Sequence, residues 1–116
     1  MNEPDCLFCK IVSGDIPADI VYESEAAIAF RDINPQAPTH VLVIPRQHIA
    51  TINDLDESHK DVIGSLYLAA GEIAEQEDIA EQGYRAVMNC NAGAGQTVFH
   101  IHLHLLGGRP LTWPPG

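Results

Sequence analysis

The chain has 116 residues, enough for one hydrophobic core and too few for two, so a single domain spanning residues 1–116 is expected. With 46% hydrophobic and 19% charged residues it reads as an ordinary globular protein; no apolar run approaches a membrane span, and the polar, acidic residues 1–5 lack the basic and apolar regions of a secretory signal. A formal net charge of −10 excludes a generic nucleic-acid surface, so any phosphate ligand is expected to be small and held by imidazoles, hydroxyls and backbone N–H groups, in a protein working in the cytoplasm.

Residues 6–13 carry apolar side chains at Leu7, Phe8, Ile11 and Val12, a helical spacing that stops at Gly14. Residues 20–23 and 26–31 are short apolar runs around Ser24 and Glu25, and predict a hairpin. Residues 32–38 concentrate turn formers and lead into a buried strand over 39–44, rich in β-branched residues and ended by Pro45. Val62, Ile63, Leu66, Ala69, Ala70, Ile73 and Ala74 repeat at intervals of three and four, which predicts a long helix over 57–77 capped by Asp56 or Ser58. Residues 84–89 and 98–106 are further strand candidates, separated by a flexible stretch through Gly93 and Gly95. The sum is an α+β fold: a mainly antiparallel sheet of about five strands, one long helix and a short N-terminal helix.

The segment from His100 to Leu106 alternates His with Ile or Leu. A strand turns alternate side chains to opposite faces, so His100, His102 and His104 share one face while Ile101, Leu103 and Leu105 face the core. Residues two apart on a strand stand about 7 Å apart, a spacing that can flank a phosphate but is loose for contact between rings. A phosphate-handling site, a metal site built on the H-x-H pair, and a polar sheet face rich in His by chance are all compatible with this row. Gly93, Gly95, Gln96 and Thr97 lie immediately upstream and supply mobile backbone, N–H groups and a hydroxyl, the ingredients of an anion cradle.

This His-φ-His-φ-His-φ-φ row, together with residues 30–40 (FRDINPQAPTH), 44–48 (IPRQH), Asn89, Gly95-Gln-Thr97 and Gly107-Gly-Arg109, closely resembles the histidine-triad family. Within it the chain is similar to the branch of histidine triad nucleotide-binding proteins with purine nucleoside phosphoramidase activity, and the terminal Trp113-Pro-Pro-Gly116 resembles the tail of that branch. The resemblance implies that His102 is the nucleophile forming a nucleotidyl-imidazole intermediate, that His104 and His40 donate hydrogen bonds to the phosphoryl oxygens, and that no catalytic metal is needed. Thr97 stands where the family commonly has serine, keeping the hydroxyl and adding a methyl; Asn89, Gly95 and Gln96 are implied beside it around the phosphate and leaving group.

For the nucleoside, the resemblance makes Asp32 the ribose ligand, a carboxylate able to accept from both hydroxyls, and Phe8, Phe30 and Ile33 the slot for the base. It also groups Cys6, Cys9, His48 and His100 as a structural zinc site; by sequence alone the long gaps make the pattern unspecific, and reduced, simply buried cysteines are the alternative. Finally it implies a two-fold homodimer with the sheets of both subunits joined and Trp113 bordering the partner's pocket. The implied activity is cleavage of the P–N bond in a purine nucleoside 5′-phosphoramidate. Hydrolysis of dinucleoside polyphosphates, nucleotide binding with incidental hydrolysis, and a plain metalloprotein are the competing readings.

Overall fold

The computed structural model describes residues 3–116. In chain order it contains α1 (Leu7–Ser13), β1 (Ile20–Glu23), β2 (Ala27–Arg31), β3 (Thr39–Pro45), α2 (Lys60–Gln76), β4 (Tyr84–Val87) and β5 (Leu103–Gly107), with three single 3₁₀ turns between them. The strands form one antiparallel sheet in the order β1-β2-β3-β5-β4, the α+β fold the sequence predicts.

Strand alternation sorts the apolar residues onto two faces. Ala27 and Ala29 of β2, Val41 and Val43 of β3, and Leu103 and Leu105 of β5 pack against Leu66, Ala69, Ala70, Ile73 and Ala74 of α2. Small side chains on β2 let the helix sit close, and fully burying Leu66 or Ile73 contributes about 1.5–3 kcal/mol each. On the opposite face Ile28, Phe30, Leu42 and Ile44 pack against Phe8 and Ile11 of α1. Strand β3 is therefore buried on both sides, which explains its unbroken apolar run.

The element ends depart from the sequence expectation where tertiary partners intervene. Helix α1 begins at Leu7, because Cys6 serves as its N-cap, its sulfur accepting from the Cys9 N–H. Asp56 does cap, but it caps a 3₁₀ turn over Glu57–His59, and α2 starts only at Lys60. Strand β4 stops at Val87 rather than at residue 89.

The largest difference is in β5, which begins at Leu103 rather than at residue 98. Its register with β3 pairs Val43 with Leu103, so the next rung would set Pro45 opposite Ile101. Pro45 has no N–H to offer, and its carbonyl is taken by His100 Nε2 at 2.8 Å, so the ladder ends there. At the other end of β5 the chain needs Gly107, since a Cβ there would lie 2.6 Å from Ile79 Cδ1.

Candidate active site

Only His104 lies within the β5 ladder, yet the alternation persists upstream: Ile101, Leu103 and Leu105 are fully buried on the α2 face, and the three histidines lie on the α1 face. The rings stand closer than the strand repeat suggests. His102 and His104 have ring centroids 4.9 Å apart and His40 and His104 5.2 Å, because the strand period fixes the backbone spacing while the side chains lean together.

His102 is 8% exposed, and its Nδ1–H donates to the His100 carbonyl at 2.9 Å. That bond fixes the tautomer and leaves the lone pair on Nε2. Burial holds the ring below its ordinary pKa, so it is neutral at pH 7. Phe8 packs edge-on against it at 5.1 Å.

A second chain of hydrogen bonds orients His104. The Gln36 N–H donates to His40 Nδ1 at 3.0 Å, so His40 carries its proton on Nε2. That N–H donates to His104 Nδ1 at 2.9 Å, which leaves His104 an N–H on Nε2. Asp32 Oδ2 lies 3.4 Å from His40 Nε2 and favours the proton there. Burial and the neighbouring rings push His104 down to about 4, so this donor is neutral at physiological pH.

Beside these rings runs a groove of about 700 Å³. Its walls combine Phe8, Ile11, Phe30 and Leu42 with Asp32, Asn89, Gly95, Thr97, His102 and His104. Ile33 also borders it, fully exposed at 101%. Seven of the residues expected at a nucleotide site, Phe8, Phe30, Asp32, Ile33, Asn89, Gly95 and Thr97, thus meet in one cleft with His102 and His104, and Arg31 is an addition that the sequence did not suggest.

Three expectations change. Gln96 is 3% exposed and turned inward: its side-chain oxygen accepts from the Asn91 N–H and its amide donates to the Ala50 and Val98 carbonyls, so it braces the loop instead of facing a ligand. The N–H groups of Ala94, Gly95 and Gln96 close back on Asn91 and Ala92, so the expected cradle reduces to the exposed Thr97. His40 stands behind His104, with its N–H committed to that ring and not open to the groove. Trp113, expected at a partner's groove, is 82% exposed and lies away from the groove of its own subunit.

Among the described residues two clusters have metal-ligating composition. In the first, Sγ to Nδ1 separations are 3.4 Å for Cys6 to His100, 3.3 Å for Cys9 to His48 and 3.5 Å for Cys9 to His100. Tetrahedral ligation at metal–sulfur and metal–nitrogen distances of about 2.3 and 2.0 Å gives sulfur-to-nitrogen edges of about 3.5 Å, so the set already has the dimensions of a zinc site. The outer contact fits as well: His100 Nε2–H donates to the Pro45 carbonyl, leaving the Nδ1 lone pair toward the sulfurs. The second cluster, Asp32, His40 and His104, does not fit. A metal on His40 Nε2 would force the ring proton onto Nδ1, against the Gln36 N–H that donates to it.

The Gln36 amide and the Pro45 carbonyl, which set two tautomers, escaped the sequence reading because a main-chain group has no residue signature. Packing of Phe8 against His102 could have been anticipated from the short helix, but not its edge-on geometry.

Fold and site together define a small hydrolase with an unprotonated imidazole at the centre of its groove. A family model described as HIT domain matches residues 13–111. The chain belongs to the histidine-triad (HIT) family. It is 54% identical over 107 residues to the purine nucleoside phosphoramidase of Escherichia coli strain K12, covering 92% of this chain and 90% of that protein. It is 45% identical over 118 residues to the 14 kDa zinc-binding protein of Zea mays, covering 100% and 91% respectively. Among solved structures it is similar to a HIT family hydrolase from Legionella pneumophila Philadelphia 1, with a TM-score of 0.95 and 55% identity over 97% of this chain and 100% of that one.

Proposed function

We propose that the protein hydrolyses the P–N bond of purine nucleoside 5′-phosphoramidates through a nucleotidyl intermediate on His102. The observation that carries this reading is the bond from His102 Nδ1–H to the His100 carbonyl, which leaves a neutral Nε2 lone pair on a histidine that lines the groove. Nε2 attacks the α phosphorus and the P–N bond breaks. The nitrogen departs as an amine, protonated from solvent on the Thr97 side, and water then displaces His102, giving the nucleoside monophosphate and returning the proton. His104 Nε2–H donates to a phosphoryl oxygen as charge develops there, with His40 holding it in place. Asp32 receives the ribose hydroxyls, and Phe8, Phe30 and Ile33 flank the base. Asn89 and Gly95 border the phosphate.

The ligand is a small nucleotide, not a nucleic acid or a membrane; among the described residues no helix is long and apolar enough to cross one. Cys6, Cys9, His48 and His100 hold a structural zinc ion, a reading supported by the ligand dimensions above and by the Zea mays relative's name. The three unpaired cysteines support a reducing, cytoplasmic site of action, and the chain works as one domain. The functional unit is a homodimer in which each Trp113 borders its partner's groove; its 82% exposure here supports a role outside its own subunit.

A fluorogenic adenosine phosphoramidate and diadenosine tetraphosphate, each assayed with and without EDTA, test the reading. Turnover of the first that persists through brief exposure to EDTA, too short to strip the buried Cys9 and His100 site, is expected, with mass spectrometry of quenched enzyme showing an added nucleotidyl group on the His102 peptide. His102→Ala should abolish turnover while keeping nucleoside monophosphate binding. Preferred cleavage of the tetraphosphate, or a label on Thr97, would reassign the reaction.

A further inference from the structure

The residue with the free Nε2 sits where the sheet offers least support. The β5 ladder begins at Leu103, so no rung of the sheet holds the main chain of His100 to His102. That stretch is tied down by other means. The Ile101 N–H donates to the Ile49 carbonyl at 2.8 Å, and His100 Nε2–H donates to the Pro45 carbonyl at 2.8 Å. The remaining ties are the contacts of His100 Nδ1 with the two sulfurs, and all of these partners lie in α1, at its N-cap Cys6, or in the segment from Pro45 to Ile49. His48 in that segment meets Cys9 in turn, so one four-residue cluster joins three stretches of chain distant in sequence.

The tautomer of His102 depends on one acceptor, the carbonyl of the fully buried His100. Rotation of that peptide would let the ring proton move to Nε2 and remove the lone pair from the groove. The same cluster also sets the other neighbour of His102. Cys6 caps α1 and Cys9 lies within it, and between them Phe8 packs edge-on against both His100, at 6.0 Å, and His102, at 5.1 Å.

We propose that the Cys6, Cys9, His48 and His100 cluster, closed by zinc, is a brace that positions His102, with His100 as the positioning residue that links metal to nucleophile. Zinc has no part in bond-making under this assignment. It fixes the His100 side chain, hence the orientation of its peptide, hence which nitrogen of His102 is free. The catalytic consequence rests on the reading of His102 as nucleophile; the structural consequence does not.

The test compares wild-type protein stripped of metal with the same protein reloaded with Zn(II), and with Cys6→Ser/Cys9→Ser and the milder Cys6→Ser in case the double variant fails to fold. Co(II) loading, read by the ligand-field bands of a tetrahedral sulfur and nitrogen site, reports occupancy. Histidine ring ¹⁵N shifts report the His102 tautomer, and pre-steady-state labelling with the adenosine phosphoramidate reports the nucleotidylation rate. The expected result is a single Nδ1–H tautomer with Zn(II) and a mixed population without it. The nucleotidylation rate falls about tenfold or more, while the Kd for adenosine monophosphate moves less than about twofold. Cobalt bands absent from the wild type, or a folded metal-free protein with the same His102 tautomer and labelling rate, would overturn the brace. Zinc-loaded wild type that forms no nucleotidyl-His102 would instead overturn the nucleophile, and the ring shifts would still decide the brace.

Discussion

His104 shows how much of the site's chemistry is decided one proton at a time. Its ring is a useful donor because the Gln36 amide, His40 and its own Nδ1 form a one-way chain, and because burial keeps the whole chain neutral. That neutrality has a thermodynamic sign. The folded-state pKa of His104 is pushed from 6.5 down to about 4, so between those values the unfolded chain binds the proton first. Stability is full above the unfolded value and is lost as pH falls through that window. The urea midpoint should therefore drop between about pH 7.5 and about pH 4.5, and His104→Gln should drop less over the same interval. An identical slope in the variant would show that His104 is not the group responsible. At this scale the histidine row was legible, since period-two alternation is local and survives the loss of the ladder. The tautomers were not legible, because they are set by main-chain groups of Gln36, Pro45 and His100 that only the folded chain brings near.

Among the elements, those with a strong local pattern came through and those ended by a distant partner did not. The hairpin β1-β2, the buried β3 and the long stripe of α2 follow from periodicity that each segment carries by itself. The start of β5 could not be read from residues 98–106, because what stops it is a proline on another strand. Gly107 is a comparable case in the opposite sense. Its sequence neighbourhood gives no sign of a packing role, yet it is buried at the end of β5 with Ile79 against it. Ile79 is β-branched and buried, with three of its atoms within 3.3 Å of the missing Cβ, so it cannot swing aside. Gly107→Ala should cost about 1–3 kcal/mol by equilibrium urea unfolding, the usual range for overpacking. A change smaller than about 0.5 kcal/mol would mean that the junction between Ile79 and β5 is soft.

The whole molecule carries its charge and its exposed apolar side chains in ways that bear on assembly. Two copies of a chain with a formal net charge of −10 repel, so salt should strengthen rather than weaken the proposed dimer. Sedimentation at micromolar concentration should give a dimer. Truncation after Pro110 should retain nucleotidylation with small leaving groups and alter discrimination among bulky amines, since the proposed dimer sets Trp113 beyond the reacting phosphorus. A monomer at all ionic strengths, or unaltered discrimination, would remove the partner's tail from the site. The missing rungs before Leu103 also give the molecule an uneven resistance to opening. Amides within β3 and β5 are laced on both sides and should exchange with deuterated solvent only on global unfolding, whereas those of His100 and His102 can be exposed by a local excursion at much lower free energy. Native-state exchange that protects His102 as strongly as Leu105 would contradict this. If the gradient is present, the proposed nucleophile belongs to the part of the protein that fluctuates first, and substrate binding should be visible as slowed exchange there before it registers in the melting temperature.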